Sequence, residues 1–135
     1  MKRLILLVIL LLTLAPAAAQ PPRVFGFIGD SNTDEYRAND NRGGAYASTT
    51  LNWMELLVRY RGVDAGAWGS YSEPRRSGYA FNWARSGAVT CDISAQAVGL
   101  AGQAVTDAVI YIGTNDFHTW NNTYAEIYNG TLSDT

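Results

Sequence analysis

Arg23-Val24-Phe25-Gly26-Phe27-Ile28-Gly29-Asp30-Ser31-Asn32 is a short apolar run that ends at a glycine and turns polar at once. A continuous apolar run of that length bounded by turn formers suits a strand buried on both faces. Ala108-Val109-Ile110-Tyr111-Ile112 repeats the pattern and closes at Gly113-Thr114-Asn115-Asp116. It is β-branched and aromatic, the clearest strand in the chain. Tyr79 to Ala84 leads in the same way to a turn at Ser86-Gly87-Ala88.

Helical patterns lie between these runs. Leu51, Met54, Leu57 and Val58 have helical spacing within Thr49–Tyr60, with Ser48 or Thr49 as N-cap and Gly62 as the stop. Asp92 caps a second helix through about Val98, and Thr123–Tyr128 forms a third with Gly130 after it. Val63–Trp68 reads as a further short strand, and residues 69–79, rich in turn formers, read as a loop. Strands alternating with helices predict an α/β architecture with a parallel sheet. In such sheets sites form past the carboxyl ends of the strands. The turns at 29–32, 86–88 and 113–116 are therefore weighed as one constellation.

The chain has 135 residues and a net charge of −2. Lys2 and Arg3 precede an apolar run, Leu4 to Leu14, and Ala17-Ala18-Ala19 follows it. That is the layout of a secretory signal peptide, with cleavage expected after Ala19. The run is shorter than the roughly 20 residues of a spanning helix, so no stable membrane span is expected after cleavage. Removing residues 1–19 takes two of the ten basic residues and none of the twelve acids. A mildly acidic remainder without a basic run argues against nucleic acid and anionic lipid as partners. The single cysteine, Cys91, excludes an internal disulfide framework and a Cys-rich zinc site. The single histidine, His118, excludes a multi-His metal centre.

Acyl transfer needs a nucleophile and donors that meet a developing oxyanion. Ser31 stands just past a strand, where a turn exposes its hydroxyl. Gly87 offers an amide that no Cβ shields. Asn115 offers a side-chain NH2 with two hydrogens to donate. Asp30 and Asp116 are carboxylates suited to bracing these turns, since a carboxylate accepts several N–H bonds.

The same residues carry a family resemblance. Phe27-Ile28-Gly29-Asp30-Ser31 resembles the first block of the SGNH (GDSL-type) esterases and lipases. Asn82-Trp83-Ala84-Arg85-Ser86-Gly87-Ala88 is similar to the second, and Ile112-Gly113-Thr114-Asn115-Asp116 to the third. Three blocks in order, each after an expected strand, span about residues 23–130. The resemblance implies a three-layer α/β/α, flavodoxin-like domain and a secreted ester hydrolase, an esterase, lipase or carbohydrate O-acetylesterase. It implies Ser31 as nucleophile, with the amides of Ser31 and Gly87 and the side chain of Asn115 as oxyanion hole. It implies no cofactor and no metal. The partner would be a small-molecule or polysaccharide ester.

Three departures stand beside it. Asn32 replaces a common Leu, and Glu35 replaces a common Gly. The fourth block, Asp-x-x-His, which supplies the general base and its orienting acid, is not in this sequence. Residues 20–135 are accordingly expected to be the N-terminal portion of such a domain, incomplete at the C-terminus. The competing expectation is a non-catalytic secreted binding module that keeps the pocket. His118 lies near Asn115 in sequence but does not match the position of the family's base.

Other patterns are weaker. Asp30-Ser31-Asn32-Thr33-Asp34 starts like a calcium loop but has Glu35 and Asn41 where Gly and Glu belong. Thr33 breaks the Gly-x-Ser-x-Gly elbow, and no dinucleotide fingerprint or P-loop is present. Trp53 is expected in the core. Trp68, Tyr71 and Tyr79 are expected to pack, with sugar stacking as their functional alternative. Arg75-Arg76 reads as a solvated pair, and Cys91 as a buried small residue. Asn121-Asn122-Thr123 and Asn129-Gly130-Thr131 fit the glycosylation sequon.

Overall fold

The structure, a computed structural model, describes residues 22–37, 42–117 and 122–131. The leader expected at 1–19, His118, Trp120 and Asn121 lie outside these. In chain order the elements are β1 (Phe25–Gly29), α1 (Trp53–Arg61), β2 (Trp68–Ser70), β3 (Ser77–Tyr79), α2 (Ile93–Ala101), β4 (Asp107–Tyr111) and α3 (Thr123–Asn129). Short 3-10 turns occupy Gly44–Tyr46 and Thr90–Asp92.

The chain is α/β, with β1 and β4 parallel and in register from Phe25 opposite Asp107 to Gly29 opposite Tyr111. The other edge of β1 is occupied as well. Phe27 N donates to Phe81 O (2.9 Å), Trp83 N donates to Phe27 O (2.8 Å), and Arg85 N donates to Gly29 O (2.9 Å). The bridge between Phe27 and Asn82 is parallel. Thus β1 is central, with parallel backbone on both sides, which is why its sequence is apolar without alternation.

The two faces of β1 meet different helices, because successive side chains point to opposite sides. Phe27 packs with Met54 of α1 and Ala65, joined by Phe25, Trp53, Val58 and Val109. Phe27 and Met54 are essentially inaccessible. Burial of such side chains contributes about 1.5–3 kcal/mol each. On the opposite side Gly26 lies under Leu100 of α2, so close that a Cβ there would fall 2.5 Å from a leucine methyl. On β4, Ile110 and Tyr111 remain exposed.

Several elements differ from the sequence reading. Helix α1 begins at Trp53 rather than Thr49, because Asn52 and Glu55 form a reciprocal capping box. Asn52 also donates to Thr33 O and Asp34 O (both 2.9 Å), tying the helix start to the turn after β1. Gly62 closes α1 in the left-handed conformation, φ 65°. The strand expected over Val63–Trp68 is reduced to a single bridge, Val24 to Asp64. Within 69–79 an antiparallel hairpin forms instead of a loop, Trp68 opposite Tyr79 and Ser70 opposite Ser77. Helix α2 runs through Gly99 to Ala101, because Gly99 packs where a Cβ would strike the Trp83 ring at 2.3 Å. Cys91 is exposed, not buried, since it lies in the 3-10 turn ahead of α2.

Arg75 and Arg76 are half-buried rather than solvated. Arg75 donates to Tyr79 O and Ala80 O. Its guanidinium lies 3.7 Å from the Tyr71 ring centre and 4.6 Å from that of Trp83. Trp68 packs edge-on against Tyr79 (5.2 Å) and carries Arg37 over its face at 4.0 Å. Trp53 is half-buried, with its ring edge-on to Phe27 at 5.6 Å.

Candidate functional site

Three turns leave the carboxyl ends of three adjacent parallel segments, at 30–34 after β1, 86–88 after the 81–85 segment, and 113–116 after β4. Cross-turn hydrogen bonds tie each to the others. Asn32 Nδ2 donates to Thr114 Oγ1 at 2.9 Å, joining the first and third. Ser86 N donates to Asp34 Oδ2 at 2.8 Å, joining the first and second. Asn115 Nδ2 donates to Ala88 O at 2.8 Å, joining the second and third.

Each sequence-nominated residue can be placed in this frame. Asp30 is fully buried, and its Oδ1 accepts from both N and Nδ2 of Asn32 (2.9 Å each). Thr33 N and Asp34 N both donate to Asp30 O at 3.0 Å, so one helical turn opens directly behind the strand. Ser31 is half-buried within that turn. Its carbonyl accepts from Arg42 Nη1, whose guanidinium also donates to Asp34 O and Glu35 O. Gly87 is exposed, with φ 86°, and the space where a Cβ would sit is open. Neither Ser31 N nor Gly87 N has a hydrogen-bond partner among the described residues. Asp116 accepts from Thr90 N (3.0 and 3.1 Å) and Thr90 Oγ1 (2.7 Å), holding the third turn to the start of α2.

The structure adds residues that the sequence reading did not single out. Gln96 of α2 clamps Gly29 with both ends of its amide: Gly29 N donates to Oε1 at 2.7 Å, and Nε2 donates to Gly29 O at 2.9 Å. A side chain 67 residues away thus fixes the last residue of β1, two before Ser31. Asp34 is buried and pairs with Arg42 at 3.5 Å. No local pattern marks either residue, because each satisfies backbone groups distant in sequence. Gln96→Leu is expected to strand Gly29 N in a buried position and to cost about 1–3 kcal/mol. Urea titration of the variant checks this, and an unchanged midpoint would show the clamp to be passive.

Glu35, the departure from the family's usual glycine, is buried. Its Oε1 accepts from Tyr79 N at 2.7 Å. A Cβ on Gly78 would lie 2.6 Å from both carboxylate oxygens, so Gly78 makes room for it. Burial, with a smaller push from the Asp34 charge, raises the Glu35 carboxyl from 4.5 to about 7. Hydrogen bonds from Tyr79 N, its own backbone and Asn82 oppose the rise.

A cavity of about 320 Å³ opens beside Gly87, bounded by Trp83, Arg85, Ala88 and residues of α2. Among the described residues, no group of three His, Cys, Asp or Glu is placed to hold a metal ion. Among them, too, no helix is long and apolar enough to cross a membrane. No protein-family profile, curated protein or solved structure matches the chain.

Proposed function

We propose that this chain is the N-terminal portion of a secreted serine ester hydrolase of the SGNH type, built on a three-layer flavodoxin-like domain. The observation that carries the reading is the pair of unpartnered amides, Ser31 N and Gly87 N, on two turns bound to each other and to the turn of Asn115. Amides without protein partners at the end of a parallel sheet are ready donors to an anion.

In this reading Ser31 Oγ attacks the ester carbonyl carbon and the carbonyl electron pair moves onto oxygen. The oxyanion takes hydrogen bonds from Ser31 N, Gly87 N and Asn115 Nδ2. Asn115 donates one amide hydrogen to Ala88 O, which fixes the plane of the group. Collapse expels the alcohol and leaves an acyl group on Ser31, which water then removes. The serine proton must pass to a base and on to the leaving alkoxide. By the resemblance, that base is the histidine of an Asp-x-x-His pair, which this sequence does not contain. Asp30 and Asp116 brace turns and are not assigned a proton.

A second reading, a non-catalytic binding module, is favoured by one observation: Ser31 Oγ has no hydrogen-bond partner among the described residues. One experiment separates the two. Exposed to a fluorophosphonate with added imidazole as external base, the protein is expected to carry the adduct on Ser31. Ser31→Ala is expected to carry none. Asn115→Ala is expected to slow labelling about a hundredfold, as loss of one oxyanion donor does. Peptide mapping by mass spectrometry reads the site. No adduct on Ser31 at any imidazole concentration would favour the binding module.

A further inference from the structure

We infer that the cavity beside Gly87 is an anion-accepting subsite, so that the ester handled here carries a carboxylate on the part bound next to the reacting carbonyl. The inference rests on the hydrolase reading for its link to Ser31 and on separate residues for its charge.

The cavity walls are mainly apolar, from Pro74, Trp83, Ala88 and Ala95, and its conspicuous donor is Arg85. Two other polar side chains at the wall are already committed. Gln96 spends its amide on Gly29. Asp92 accepts from Val89 N at 2.9 Å. The Arg85 side chain has one partner among the described residues, Glu73 Oε2 at 3.0 Å. A guanidinium carries five N–H donors in a planar fork that matches a carboxylate.

Charge around the cavity points the same way. In a chain of net charge −2, Arg85 lines the cavity, Arg75 stacks over its Trp83 wall, and Arg76 shares Glu73 with Arg85. Glu73 bridges two of them, with Arg76 Nε at 3.4 Å from its Oε1. Arg76 Nη1 is buried and has no hydrogen-bond partner among the described residues. The side chains of Arg76 and Arg85 are 24% and 23% exposed, whereas that of Glu73 is 71% exposed. A carboxylate so largely in solvent holds its partners weakly. A ligand carboxylate entering from the cavity meets Arg85 in a less watery place and forms the stronger pair. Glu73 is thus an internal stand-in that the substrate's acid displaces.

The test compares two esters of nearly equal size, monomethyl succinate and methyl butyrate, which differ by a terminal carboxylate. Binding is followed by chemical-shift titration of the protein, a readout independent of Ser31 chemistry. The anionic ester is expected to bind about tenfold more tightly or better. Arg85→Gln is expected to erase that preference. Glu73→Gln is expected to enlarge it severalfold, and this variant alters only an exposed group should Arg85→Gln fail to fold. Equal binding of the two esters, or a preference unmoved in both variants, would overturn the inference. Charge preference without phosphonylation of Ser31 would keep the subsite and remove the hydrolase reading. Phosphonylation without charge preference would do the opposite.

Discussion

Gly29→Ala is expected to destabilise the protein by about 4 kcal/mol or more, a large share of a domain's usual 5–15 kcal/mol. The backbone at Gly29 has φ 153°, a conformation side chains seldom adopt, which costs about 1–3 kcal/mol by itself. A Cβ there would also fall 2.0 Å from the carbonyl oxygen of Tyr111 on β4. That oxygen belongs to backbone and accepts from Asp30 N at 3.2 Å, so it cannot swing aside as a side chain would. Overpacking of this kind adds about 1–3 kcal/mol. Relief requires β4 to move off β1, and β4 carries the turn of Thr114, Asn115 and Asp116 with it. The hydrogen bond from Asn32 to Thr114 and the contact of Asn115 with Ala88 are then lost together. Urea unfolding measures the first effect. Labelling of Ser31 at a urea concentration where the variant is still folded measures the second, and it is expected to fall as the proposed oxyanion donors separate. Gly102→Ala serves as the control. Its φ is −79° and nothing crowds its Cβ, so a change of no more than about 1 kcal/mol is expected there. A Gly29→Ala protein as stable as wild type would mean that β1 and β4 are not paired in this register.

The same glycine shows what could be read from the sequence and what could not. Gly29 and Gly113 were visible because each ends a dense apolar run, and an apolar run with a hard stop is a local signal. Gly62 and Gly130 were visible as helix stops for the same reason, and both adopt the left-handed conformation. The start of α1 differs from the expected one although its signal is present in the sequence. Ser48 and Thr49 resemble caps, but only Asn52 has a Glu three residues on that can return the bond. The hairpin at 68–79 was hidden because its strands are three residues long and its composition is that of a turn. Non-local partners were hidden altogether. Nothing near Gln96 announces that it will satisfy Gly29, and nothing near Arg42 announces the carbonyls of Ser31, Asp34 and Glu35. Such residues answer backbone groups exposed by the fold, and those groups exist only once the strands have met. Arg75 and Cys91 exchanged their expected environments for a related reason. Burial at either position is decided by whether a neighbouring segment arrives: Tyr71 and Trp83 reach Arg75, while Cys91 stays exposed in its 3-10 turn.

Glu35 provides the second large effect, and its sign is opposite to that of an ordinary surface carboxylate. The group's unperturbed value is 4.5, and burial raises it to about 7 in the folded protein. The folded state therefore holds the proton more tightly than the unfolded state does. Below pH 4.5 the carboxyl is protonated in both states, and its contribution to stability is complete. As pH climbs from 4.5 through 7, the unfolded chain ionises freely while the folded chain resists, so that contribution is lost. A shift of this size corresponds to about 3 kcal/mol across the window. Glu35→Gln removes the titration and keeps an oxygen to accept from Tyr79 N. The variant is expected to show a nearly flat stability between pH 5 and pH 8, where wild type declines. At pH 8 it should be the more stable of the two by up to about 3 kcal/mol. Denaturant midpoints at four pH values across this window provide the measurement. Parallel curves for the two proteins would show that Glu35 reaches water after all. A decline that persists in Glu35→Gln would assign the dependence to another group. Glu35 hangs from the same turn as Ser31, and Arg42 holds the carbonyls of both. A charge forced onto Glu35 therefore strains the backbone that presents the proposed nucleophile, and Ser31 labelling at high pH is expected to be better preserved in the variant.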